Sequence, residues 1–142
     1  MTKLTLQQAN RILEGALAKA REMRLKPLGV VVLDESGHLK AAQREDAASM
    51  FRIEIATGKA WGAVAMGASS RTLAARAKDN PNFFVTLAAT AGGKFLPQTG
   101  AVLIRNASGE LLGAAGASGG TGEEDEAVCI HGIEHAGLDA ES

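Results

Sequence analysis

Two stretches of the chain read as strand–turn–strand units, and the helical pattern between them leaves few folds open. Leu28 to Leu33 (Leu-Gly-Val-Val-Val-Leu) is an unbroken apolar run of strand length. Asp34-Glu35-Ser36-Gly37 supplies turn chemistry, and His38 to Gln43 is the return strand. The plan repeats with Gly100 to Arg105, the turn Asn106-Ala107-Ser108-Gly109, and Glu110 to Ala117. Adjacent hairpin strands pair antiparallel, so two hairpins separated by helices predict an α+β fold, an antiparallel sheet with helices packed around it.

The helical segments carry their own punctuation. Thr5 and Gln8 form a capping box ahead of Leu6, Ala9, Ile12, Leu13, Ala16, Leu17 and Ala20, which recur at helical spacing up to Met23. Arg21, Arg24 and Lys26 suit that helix's C-terminal end, and Pro27 stops it. Met50, Ile53, Ala56, Thr57, Ala60, Val64 and Ala65 line one side of a second helix that Gly67 ends. Ser69 or Ser70 caps a short helix through Ala77, and Asn80-Pro81 starts another that Gly92-Gly93 closes. Ser118 to Gly122 reads as a flexible loop before a final helix, Glu123 to Ala136, whose acidic first turn suits the helix dipole.

The core these elements share has an unusual filling. The chain has 27 alanines and 17 glycines, against four Phe, one Trp and no Tyr. Such residues bury little area each, so close backbone approach must do much of the packing. A small-cored single domain of 142 residues gains from a partner, and a homo-oligomer is expected.

Charge and cysteine usage remove several function classes. Fifteen basic residues against sixteen acidic ones leave no footprint for nucleic acid. Cys129 stands alone, which excludes an internal disulfide and a Cys-pair zinc site. No apolar run approaches membrane-spanning length, and the first residues lack a signal peptide's apolar stretch, so a cytoplasmic protein is expected.

Four constellations could carry chemistry. His131 and His135 share one face of the last helix with Glu124 two turns earlier, the layout of a helical metal site; the alternative is a solvated helix end that favours cationic His. Cys129 reads as a buried structural thiol, because Asp125 on its stripe has the wrong charge to activate a nucleophile. The loop Gly116 to Gly122 lacks a Gly-Lys-Ser/Thr and precedes four acidic residues, so it is no phosphate cradle; it could wall a pocket. Arg44 and Asp46 read either as a local ion pair with Asp46 capping the next helix, or, with Lys59, as cations and an acid facing a pocket.

Taken in order, these pieces resemble the GlcG/HbpS family of small haem-binding proteins, the DUF336 domain that also forms the C-terminal part of PduO-type corrinoid adenosyltransferases. The resemblance runs from Leu4 to Gly137. It rests on Gly29 to Asp34 with Gly37-His38-Leu39, on Arg44-Glu45-Asp46-Ala47-Ala48 in place of an Arg-x-Asp-Gly-Ala turn, and on Lys59-Ala60. It continues through Gly92-Gly93, through Gly113-Ala114-Ala115-Gly116-Ala117-Ser118-Gly119, and through Asp125-Glu126-Ala127 to Gly132.

The resemblance implies a profilin-like α+β fold, assembly as dimers up to octamers, and haem as the candidate cofactor. It implies a pocket near a subunit interface lined by Arg44, Asp46, Lys59, Gly92, Gly93, Ser118 and Gly119. Leu4 to Lys26 has no histidine where haem-binding members look for an axial one, and Met23 is its one conventional soft ligand. Two other readings stay open: a small catabolic enzyme or accessory protein that binds an organic acid through Arg44 and Lys59, and a ligand-free oligomeric interaction module.

Overall fold

The computed structural model describes residues 3–142, in the order α1 (Leu6–Glu22), β1 (Gly29–Asp34), β2 (Leu39–Arg44), α2 (Phe51–Met66), α3 (Ser70–Asp79), α4 (Pro81–Thr90), β3 (Ala101–Arg105), β4 (Leu111–Ser118), α5 (Gly122–His135) and β5 (Asp139–Glu141). The strands form one antiparallel sheet in the order β2-β1-β4-β3-β5. Both expected hairpins are present, and the fold is α+β. The two hairpins meet along β1 and β4, where Gly29 faces Ser118 and Asp34 faces Gly113.

Alternation along the central strands decides which layer each residue packs. Val30, Val32, Val102, Ile104, Ala115 and Ala117 point to the face covered by α1 and α5, against Ile12, Leu13, Val128 and Ile133. Val31, Leu33, Ala101, Leu103 and Ala114 point to the other face, against Ala56, Ala60 and Ala63 of α2. A third cluster of Leu73, Phe84 and Phe95 packs α3, α4 and the strand-free segment after them. The predicted close approach of backbones is what joins the layers. A methyl placed on Gly116 would lie 2.4 Å from the Ala56 carbonyl of α2, and one on Gly132 of α5 equally close to the Ile12 carbonyl of α1.

Caps follow the sequence at three helices. Thr5 and Gln8 exchange hydrogen bonds at α1, Ser69 accepts from the Thr72 amide at α3, and Pro81 opens α4. At α2 the expectation fails. Asp46 does not cap this helix, which begins at Phe51 with Met50 before it and no side-chain cap. Ala47 turns the chain through a left-handed conformation at φ 69, and the Ala48 amide bonds back to the Glu45 carbonyl. Arg44 donates a guanidinium N–H to the Ala48 carbonyl, and among the described residues no Arg44–Asp46 ion pair forms. Met50 and Ala65 are exposed rather than turned to the sheet. The short edge strand β5 has no apolar run to announce it; it pairs with β3 at Leu103 to Arg105, and Arg105 Nε donates to the Glu141 carboxylate across the pair.

The loop after β4 is tied down, against the expectation of flexibility. Ser118 is the buried last residue of the strand. Gly120 donates its amide to Asp125, and Thr121 and Glu124 form a capping box that starts α5. Among the described residues no helix is long and apolar enough to cross a membrane.

Candidate functional site

The start of β1, the end of β4, the start of β3 and the N-terminal half of α2 converge at one end of the sheet, beside the first turn of α5. Lys59 reaches across this end. Its ammonium donates to the Ala117 carbonyl at 3.0 Å and to Asp125 Oδ2 at 3.1 Å, joining α2 on one face to α5 on the other. The two side chains are 7% and 2% exposed. An ion pair so buried is tolerated only when the remaining hydrogen-bonding capacity is met. Here Asp125 Oδ1 accepts the Gly120 amide, and among the described residues no buried side-chain nitrogen or oxygen lacks a partner. Gly100 makes the crossing possible, since a methyl there would sit 2.6 Å from the Lys59 ammonium.

In front of this pair lies a cavity of about 440 Å³, with Arg52, Lys59, Gln98, Thr99, Ser118 and Asp125 on its walls. Arg52 and Lys59 stand seven residues apart on α2, two helical turns, and so share one face. Arg52 donates to Ser118 Oγ at 2.9 Å. Arg52, Gln98 and Thr99 were missed from the sequence; the two-turn spacing of Arg52 from Lys59 was the signal available for the first of them.

On the other side of the glycine loop is a second groove of about 420 Å³. Met23, Arg24, Leu25 and Lys26, at the end of α1, form one wall, and Gly119, Gly120, Thr121 and Glu124 form the other. Met23 is 36% exposed. A third depression, about 410 Å³, holds Arg44 and Asp46 together with Arg21, Pro27 and Glu45. In it Glu45, not Asp46, makes the contacts, accepting from Arg21 at 2.9 Å and from the Leu28 amide at 3.0 Å. A fourth, about 360 Å³, places Gly93 beside Ile53, Trp61 and Leu96. Gly92 is exposed at the end of α4. The sequence-selected residues therefore fall into four neighbourhoods. Lys59 joins Ser118, and Met23 joins Gly119, but Arg44 and Asp46 join neither.

Three acids of the last helix are engaged by the fold, while Glu123 and Glu134 are exposed. Glu124 Oε1 accepts the Thr121 amide, Asp125 holds Lys59, and Glu126 accepts both Nε and Nη2 of Arg71. That leaves Glu124 facing its own helix start rather than the histidines. His131 is exposed, and His135 lies 3.3 Å from Glu14 of α1. Among the described residues no three His, Cys, Asp or Glu side chains converge as a metal site. Cys129 is buried with its sulfur toward the Gly100 carbonyl, and burial, seconded by Asp125, pushes its thiol well above the ordinary range.

No functionally curated protein matches the chain by sequence. Its fold is shared with several solved structures. The PduOC:heme complex superposes with a TM-score of 0.87 at 24% identity, covering 99% of this chain and 100% of the other. The DUF336 protein ORFY of Klebsiella pneumoniae gives 0.85 at 22% identity, over 96% of this chain and 93% of that one. A double mutant of HbpS from Streptomyces reticuli gives 0.80 at 25% identity, over 94% and 87%. The family model described as haem degrading protein HbpS-like matches residues 4–134, and with nearly its whole length covered the chain belongs to the HbpS-like family.

Proposed function

We propose that this chain binds haem or a related small ligand in the groove between the end of α1 and the glycine loop, near a subunit interface, as part of haem, iron or redox handling. In this reading the chain acts as one HbpS-like domain in a cytoplasmic homo-oligomer. The observation that carries it is the composition of that groove: a half-exposed thioether, Met23, flanked by the cations Arg24 and Lys26 and faced by the bare backbone of Gly119 and Gly120, with Thr121 and Glu124 beside them. Methionine is an accepted haem-iron ligand, and two cations suit two propionates. Bound haem would supply a redox-active iron at this place. The groove is open and has no aromatic wall, so a second copy of the chain is assigned the task of covering the ring. The haem complex of a protein with the same fold supports the choice of ligand. Of the residues selected from the sequence, Met23 and Gly119 form this seat. Arg44 and Asp46 line a separate depression with Pro27, and Lys59, Ser118, Gly92 and Gly93 are not among the residues lining the groove.

Haem titration followed at the Soret band tests the reading. Saturable binding is expected for the natural chain, with a changed Soret position in Met23→Ala and weaker binding in Arg24→Gln and Lys26→Gln. His131→Ala and His135→Ala are expected to leave the spectrum unchanged. Absence of saturable binding, or a spectrum lost with a histidine and indifferent to Met23, overturns it.

A further inference from the structure

We propose a second binding site, for a small organic monocarboxylate, in the cavity in front of the Lys59–Asp125 pair, with the Arg52 guanidinium as the carboxylate clamp. Charge on the cavity wall points to an anion. The Lys59 ammonium is already matched by Asp125 at 3.1 Å. Arg52 is not matched: its bond is to the neutral Ser118 hydroxyl, and among the described residues no carboxylate lies within ion-pairing distance of it. A half-buried guanidinium with most of its donors free toward a cavity gains most from a planar, bidentate acceptor.

Other features narrow the class. Ile55 and Leu96 contribute apolar wall, which favours an anion with a carbon body over an inorganic one. Gln98 and Thr99 offer amide and hydroxyl groups for a polar substituent on that body. Glu123, an exposed residue of the lining, adds a negative charge, which weighs against dianions. The volume of about 440 Å³ takes a small molecule. A hydroxy or keto monocarboxylic acid meets all four conditions. The site lies across the glycine loop from the Met23 groove, the two sharing Gly120 in that loop, and its charged wall is made by residues the Met23 groove does not use.

The test is calorimetric titration of the full chain with L-lactate and glycolate, with 1,2-propanediol as the uncharged analogue and inorganic phosphate as the non-carboxylate anion. Saturable binding of at least one monocarboxylate is expected, with a dissociation constant below about 1 mM, and none of propanediol. Arg52→Gln is expected to weaken it at least about tenfold, and Arg52→Lys, which keeps the charge but loses the fork, by an intermediate factor. Should Arg52→Gln fold poorly, Arg52→Lys carries the comparison. Met23→Ala, and haem at saturation, are expected to leave the affinity unchanged. No monocarboxylate binding up to about 10 mM overturns the site. So does Arg52→Gln binding like the natural chain, phosphate binding as well as lactate, or displacement of lactate by haem, which would make the cavity part of the haem seat. A chain that binds lactate and not haem keeps this site and loses the function proposed above.

Discussion

Two glycine segments of this chain look alike in sequence and behave differently in the fold. The family resemblance places both Gly92-Gly93 and the run from Gly113 to Gly122 where backbones approach each other or a ligand. At Gly92 and Gly93 a methyl would meet nothing within 4 Å, and φ is +67 and +78. These glycines end α4, with the Gly93 amide on the Ala88 carbonyl and the Gly92 amide on the Ala89 carbonyl. They are there for a left-handed turn. At Gly119 a methyl would lie 2.5 Å from Leu28 Cβ, and at Gly122 2.9 Å from Thr99 Cβ. Gly122 is there for room, and Gly119, at φ +147, for room and for its backbone conformation together. The first kind shapes the chain locally, whereas the second kind holds two layers and two grooves in register.

The sharpest way to break this contrast is at the ion pair the crowded segment encloses. Asp125→Ala leaves Lys59 buried without a counter-charge and is expected to cost about 3–5 kcal/mol, read as a shift in the urea midpoint. A cost below about 1 kcal/mol, that of a surface pair, would show that water reaches Lys59 freely. Next comes Gly119→Ala, expected to cost about 2–3 kcal/mol because its methyl meets Leu28 and the Pro27 carbonyl together, at a φ of +147 that alanine rarely adopts. Thr121→Ala removes one bond of the α5 capping box and is expected to cost about 1 kcal/mol by thermal melting. Gly93→Asn should cost the least, a few tenths of a kcal/mol, because Asn tolerates the left-handed turn and nothing stands in its way. If Gly93→Asn proved as damaging as Gly119→Ala, the division between turn glycines and packing glycines would fail. Cys129 offers a further reading of the same contrast. Its thiol is buried and kept protonated, so alkylation at mildly alkaline pH should be slow in the natural chain and in Gly93→Asn, and faster in Gly119→Ala.

Periodicity and turn chemistry made most of the fold legible. The unbroken Val30-Val31-Val32 run, the turns ending in Gly37 and Gly109, and the Thr5–Gln8 cap each state a local preference that the packing then keeps. Asp46 misled because a capping residue is recognised by the helical residues directly after it, and the left-handed Ala47 delays the helix by a turn that no local rule anticipates. Glu45, its neighbour, had no distinguishing pattern, since its partners Arg21 and Leu28 come from other elements. The candidate site was half legible for the same reason. Lys59 with Ser118 and Met23 with Gly119 were chosen individually, yet their grouping depends on β4 ending beside both α1 and α2. Arg52 was within reach of helical spacing; Gln98 and Thr99, in a strand-free segment, were not.

The notch at Gly100 has a consequence for how the molecule comes apart. Because Lys59 passes over the end of the sheet to Asp125, neither helical layer can lift away without stranding a charge in the other. The amide protons of α2 and of the first turns of α5 should therefore exchange with solvent as one cooperative unit, although these helices lie on opposite faces of the sheet.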